Sequence, residues 1–177
     1  LMALNTIGSN PFRRQEVPGG IGKGPISHQG MILAQQRVAW PAISGIYSLE
    51  GSQGEVLREW TTPLKPYWTS LEQTRMEFIS AGYDQKHDIG CFAVTLSGGT
   101  AHTRVVGVNF KRGECYIWRL SRNAFANRVV SGEQRLIGGG YVGKFRNEVR
   151  TDVFTGSLDD AAAAIQADVQ TPLHHCG

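Results

Sequence analysis

Nowhere in this chain does an apolar run approach the roughly 18 to 20 residues that a membrane-spanning helix needs, so the sequence offers no such helix and reads as soluble. The N-terminus lacks the basic, apolar and small-residue order of a secretory leader. Cysteine is scarce. Three cysteines cannot all pair within one chain, and 177 residues bury a core large enough to need no disulfide staple, so free thiols are expected. Charge of one sign is scarce too, because a net charge of +3 defines no partner by itself. No internal repeat and no low-complexity stretch is evident, and no metal-ligand spacing stands out. The terminal His174-His175-Cys176-Gly177 would hold a metal only if another element completed the ligand set.

What is present is unevenly arranged. The first thirty residues are rich in Gly, Pro and polar side chains, with breakers at Pro18-Gly19-Gly20 and Gly22-Lys23-Gly24-Pro25, and read as an extended arm over 1–30. Residues 31–177 read as one domain. Ile43–Leu49, Cys91–Leu96, Thr103–Phe110, Cys115–Leu120 and Glu148–Phe154 have the Val, Phe, Tyr, Trp and Thr content of strands. Thr69-Ser70-Leu71-Glu72 has the form of a capping box, which predicts a helix of about three turns ending near Gly82. Ser157-Leu158-Asp159-Asp160 predicts a final alanine-rich helix through Val169. This order of elements predicts an α+β fold, an antiparallel sheet or meander with two helices packed on it.

Between Arg104 and Arg150 there are ten basic residues against three acids, Glu114, Glu133 and Glu148, a local balance of +7. Such a surplus predicts a basic face, with Arg119, Arg122 and Arg128 at its centre, able to steer an acidic protein surface. Nucleic acid is the less favoured partner, since no alternation of aromatic and basic residues marks a base-stacking platform. Gly138-Gly139-Gly140-Tyr141-Val142-Gly143-Lys144 fits the spacing of a phosphate-binding loop, but Phe145 stands where Ser or Thr would hold Mg²⁺, so no nucleotide cofactor is expected.

The stretch of greatest chemical interest runs from Asp88 to His102. It sets Cys91, a β-type run, the Gly98-Gly99 turn and His102 into one expected hairpin, and a thiol beside an imidazole makes a nucleophile and base pair. Side chains alternate faces along a strand, so the two share a face only if the loop holds an even number of residues. A four-residue loop would make His102 a diagonal neighbour of Cys91 at roughly 7 to 8 Å. A two-residue loop would leave them roughly 13 Å apart along the strand.

Glycine, cysteine, a short β run, a Gly-Gly turn and histidine, about fifteen residues in all, resemble the active-site hairpin of bacterial glutamine deamidases. That group spans chemoreceptor deamidases, cytotoxic necrotizing factor and Burkholderia lethal factor. The resemblance implies a toxin-like effector, secreted or injected into a target cell, that hydrolyses a glutamine carboxamide on a protein substrate without a cofactor. Cys91 would be the nucleophile and His102 the base, the third polar group staying open among Thr95, Ser97 and Thr100, and backbone N–H groups at Gly90 and Cys91 would hold the oxyanion. An alignment through Leu96-Ser97-Gly98-Gly99 instead puts Gly99 at the nucleophile position and Arg119 near the histidine, which implies an inactive domain; both registers stay open. Separately, Trp68-Thr69-Ser70 with the later Glu114 resembles segments of ADP-ribosyltransferase toxins, which would make Ser70 and Glu114 site residues. The remaining expectation is a non-enzymatic binding module with a basic face.

Overall fold

The computed structural model describes residues 2–7, 10–51, 56–130, 132–140 and 146–148, and the residue pairs 159–160, 163–164 and 167–168. An N-terminal hairpin pairs β1 (Met2–Ile7) with β2 (Asn10–Glu16). Four strands then form one antiparallel meander: β3 (Ile32–Ala34), β4 (Arg37–Ala42), β5 (Gly45–Glu50) and β6 (Val56–Glu59). A connection carrying α1 (Lys65–Thr69) and 3-10 turns at Thr62–Leu64 and Gln73–Phe78 leads to a second meander. Its strands are β7 (Ser80–Asp84), β8 (Ile89–Val94), β9 (Arg104–Asn109) and β10 (Glu114–Trp118). A third begins with β11 (Ala124–Val130), β12 (Glu133–Gly139) and β13 (Arg146–Glu148). Of the two-residue strands β14 (Asp159–Asp160), β15 (Ala163–Ala164) and β16 (Ala167–Asp168), the last joins the outer edge of β10.

The architecture is therefore close to all-β, and the expected α+β fold with two helices on a sheet is corrected. The capping-box expectation failed for a local reason. Thr69 closes a short helix instead of opening one, its hydroxyl donating to the Lys65 and Pro66 carbonyls. Glu72 caps only the 3-10 turn, accepting from the Thr74 N–H, and its other oxygen accepts from Gly98 N–H at 2.8 Å, which ties down the β8–β9 loop. Ile79 then leads into β7, where a helix was expected to continue to Gly82. The final helix expected over 157–169 lies mostly outside the described residues, and the described pairs within it are strands. Among the described residues no helix is long and apolar enough to cross a membrane.

The sheets stack face to face, with the β7–β10 sheet in the middle. One of its faces, through Phe92, Val94, Val106, Val108 and Ile117, packs on Ile32, Ala39, Ile46 and Trp60 of the first meander. The opposite face, through Ile89, Cys91, Val105 and Trp118, packs on Phe125 and Leu136 of the third. Every residue of β8 is buried, which is why its sequence shows no polar alternation. Two glycines set the spacing. A Cβ on Gly82 would lie 2.5 Å from Phe125 Cβ and 2.7 Å from Leu136 Cδ1, and one on Gly90 would meet Ile32 and Phe110 at 2.9 Å.

The first strands of the three meanders, β3, β7 and β11, lie at sheet edges and are neighbours, with β7 touching both others. Gly82→Ala should lower unfolding stability by about 1–3 kcal/mol in urea titrations, since Phe125 Cβ cannot rotate away. Gly24→Ala, where a Cβ meets nothing within 4 Å, should stay within about 0.5 kcal/mol of the parent.

Candidate functional site

Cys91 occupies the middle of β8 with no exposed surface. Register places it between Gly82 on β7 and Gly107 on β9, in the row that continues to Tyr116 on β10. It is a small apolar filler facing the third meander. Burial pushes its thiol well up from the ordinary range, and the Asp84 carboxylate pushes it further. Gly90 is paired to Tyr83 on one side and Val108 on the other, so its backbone belongs to the ladder. A pocketed oxyanion there has no open donor to use.

His102 lies elsewhere. The loop between Val94 and Arg104 holds nine residues, an odd number, with Cys91 opposite Gly107. His102 meets Thr95, four residues beyond Cys91, which corresponds to roughly 13 Å along a strand. The structure thus joins His102 with Thr95 and joins neither to Cys91. The Phe78 carbonyl accepts from His102 Nε2 at 2.8 Å, so Nε2 carries the proton and Nδ1 accepts the Thr95 hydroxyl at 2.8 Å. Burial, and the nearby Arg75 cation, hold the imidazole pKa below its usual value, against the raising effect of the Phe78 bond. This histidine is a neutral pin between the β8–β9 loop and the 3-10 turn.

The other candidates also separate. Ser70 ends α1, bonded to the Tyr67 carbonyl, beside the Leu71–Leu96 bridge at one end of the β7–β10 sheet. Glu114 starts β10 opposite Asn109 at the other end, where it accepts from the Tyr116 hydroxyl. No ADP-ribosyl site joins them. Nor do the three arginines form one face. Arg119 is exposed just after β10 and Arg128 is exposed on β11, but Arg122 is buried and donates to the Ser121 carbonyl. The Gly143-Lys144 end of the phosphate-loop spacing lies outside the described residues.

Two features escaped the sequence reading. The first is a polar chain that fastens the first meander to the second. Trp60 Nε1 donates to Ser48 Oγ at 2.8 Å and Ser48 Oγ to Glu50 Oε1 at 3.2 Å. Arg37 lies 3.5 Å from Glu50 and 3.4 Å from Asp88, and the Tyr83 hydroxyl donates to Asp88 at 2.8 Å. The Arg37 guanidinium also stands 5.1 Å from the Phe110 ring centre. Burial, then the bond to Asp88, pushes the Tyr83 phenol pKa up, so it remains a donor. Nothing local could signal this chain, whose members come from five separate segments.

The second is a cavity of about 240 Å³ where β3, β7 and β11 meet. Ile32 and Leu33, residues 81–83, Phe125, Asn127 and Leu136 line it, so apolar surface adjoins strand edges and one exposed amide. Among the described residues no group of three His, Cys, Asp or Glu is placed to hold a metal. Compared with known proteins, the chain matches no protein-family model and no curated protein.

Two measurements check these assignments. Iodoacetamide should modify native Cys91 only at the rate of global opening, so His102→Ala should speed the reaction by loosening the fold. Slowing would instead restore a thiolate–imidazolium pair. For pH, His102 is held neutral in the fold and its pKa is lowered there. Its contribution is therefore full above the unfolded value of about 6.5 and lost as pH falls through the folded one. Stability should decline on acidification from neutral pH, and His102→Gln should flatten that slope.

Proposed function

We propose that the chain is a non-catalytic binding scaffold of the propeller type, which takes an extended protein segment along the groove where its first strands converge. Propeller blades are four-stranded meanders stacked face to face about a channel with their first strands adjoining, and here two meanders of four consecutive strands and the three described strands β11–β13 stack in that way. The observation that carries the reading is the cavity at β3, β7 and β11. All three are edge strands; on β7 the Ala81 N–H is already given to the Gln29 carbonyl at 3.0 Å, and the remaining edge groups are what an added strand uses, while side-chain pockets choose the sequence. Phe125, Ile32 and Leu136 supply the apolar floor and Asn127 a paired donor and acceptor.

The deamidase reading receives no reactive pair from this geometry, since Cys91 is sealed between two sheets and His102 is engaged with Thr95 and Phe78. The basic-face reading loses Arg122 to the core. A strand-edge groove needs neither.

The test is a titration with an acetylated hexapeptide of alternating valine and threonine, followed by amide chemical shifts. Saturable shifts should concentrate at residues 81–83 and Asn127, and Phe125→Ala should weaken binding about tenfold, equal to about 1.4 kcal/mol. Absence of binding overturns the proposal. So does release of ammonia from a glutamine-bearing protein that is abolished by Cys91→Ser.

A further inference from the structure

We infer that the segment taken by the groove pairs with β7 at Tyr83 and is apolar on both of its faces, a run of consecutive uncharged residues like β8 rather than an alternating strand. The inference deepens the strand-edge reading proposed above and rests on it. It starts from the direction of the backbone groups. The Phe110 N–H donates to the Asp88 carbonyl at 2.9 Å, one step beyond the Ile89–Asn109 pair. Even-numbered residues of β8 therefore turn their backbone groups to β9 and odd-numbered ones to β7. Ser80, Gly82 and Asp84, opposite Ala93, Cys91 and Ile89, make the ladder bonds, and Ala81 and Tyr83 point theirs out of the sheet. The chain has already used one of these groups, since the Ala81 N–H donates to the Gln29 carbonyl at 3.0 Å. Gln29 thus makes one bond of the kind an added strand would make. Two residues on, the Tyr83 N–H and C=O have no partner among the described residues. Tyr83 is only 8% exposed, and buried backbone groups are seldom left unpaired.

The cavity at this edge decides the chemistry of the segment. Ile32 and Leu33 line it from the first meander, and Phe125, Asn127 and Leu136 from the third. A strand added beside Tyr83 prolongs the middle sheet between those two neighbours, where β8 is already buried throughout. Its side chains alternate faces. The residue opposite Tyr83 shares the Tyr83 face, which is the one that packs with Ile32. The residue opposite Gly82 projects to the other face, where a Cβ on Gly82 itself would lie 2.5 Å from Phe125 Cβ and 2.7 Å from Leu136 Cδ1. Among the described residues no charged side chain lines the cavity, and the Asn127 amide cannot neutralise an ion. A charge on either face of the segment would be buried without a counter-charge, which is costly. A groove that covered one face alone would leave every second residue in water and accept lysine or glutamate there.

Hydrogen exchange and peptide titration test this on the full chain. In the free protein the Tyr83 amide should exchange much faster than that of Gly82, which is bonded to β8, and the alternating valine and threonine hexapeptide should slow it while leaving Ala81 unchanged. With one inner threonine replaced by valine the peptide should bind about tenfold tighter. With all three threonines replaced by lysine, or all three by glutamate, it should bind about a hundredfold more weakly. Using both signs removes the effect of the chain's own net charge of +3. Charged peptides that bind within about threefold of the threonine parent overturn the inference and leave the strand-edge reading standing. A Tyr83 amide already as slow as that of Gly82 in the free protein also overturns it, because that edge is then covered. A threonine parent that does not bind removes the strand-edge reading, and the inference with it.

Discussion

Burial of β8 on both faces is the condition on which the rest of the molecule depends. A strand that faces water on one side can alternate polar and apolar residues, but one packed between two sheets must be apolar throughout and must vary in size to let both neighbours approach. Ile89–Val94 meets both demands. Phe92 and Val94 fill the side toward the first meander, at roughly 1.5–3 kcal/mol for each side chain removed from water. Gly90 and Gly82 remove bulk where Ile32, Phe110 and Phe125 come closest. Cys91 is the small residue that fits the remaining side.

That two-sided burial also explains how a core cysteine resembles a nucleophile. A run of glycine, cysteine and apolar residues is what a β-type active-site segment looks like, and equally what a doubly buried strand looks like. Strand positions within β5, β8, β9 and β10 were legible in the sequence because β-branched and aromatic residues cluster between glycine turns. The helices were not. Thr69-x-x-Glu72 has a capping pattern whatever follows it, and here the chain is drawn instead into the Leu71–Leu96 bridge and the Glu72–Gly98 bond. Neither partner is local, so neither could be read from the segment itself. The recurrence of the meander was hidden for a related reason: Gly54-Glu55 precedes β6 and Gly113-Glu114 opens β10, but the corresponding strands otherwise differ in residue identity.

The Arg37 chain shows a different kind of concealment. Buried polar groups must be partnered, and Glu50, Arg37, Asp88 and Tyr83 satisfy one another across two sheets while Arg37 lies against the Trp60 and Phe110 rings and Tyr83 against Phe110. Its worth is in registration more than in net stability, since desolvating charged groups offsets much of their attraction. By fixing Tyr83, which both bonds Asp88 and lines the cavity, the chain holds one wall of the groove in place from behind. A recognition surface made of strand edges needs such support, because an edge strand held only by its one neighbour can slip in register.

The sheet pairings among β3–β6, β7–β10 and β11–β13 link strands that follow one another directly in the chain. Ladder formation is consequently a matter of short loops, and long-range order enters only when one finished sheet settles on another. Such a chain can assemble from either end or from the middle. It can also grow in evolution by duplication of a whole meander, because an added sheet would be joined through faces and would disturb no existing strand ladder.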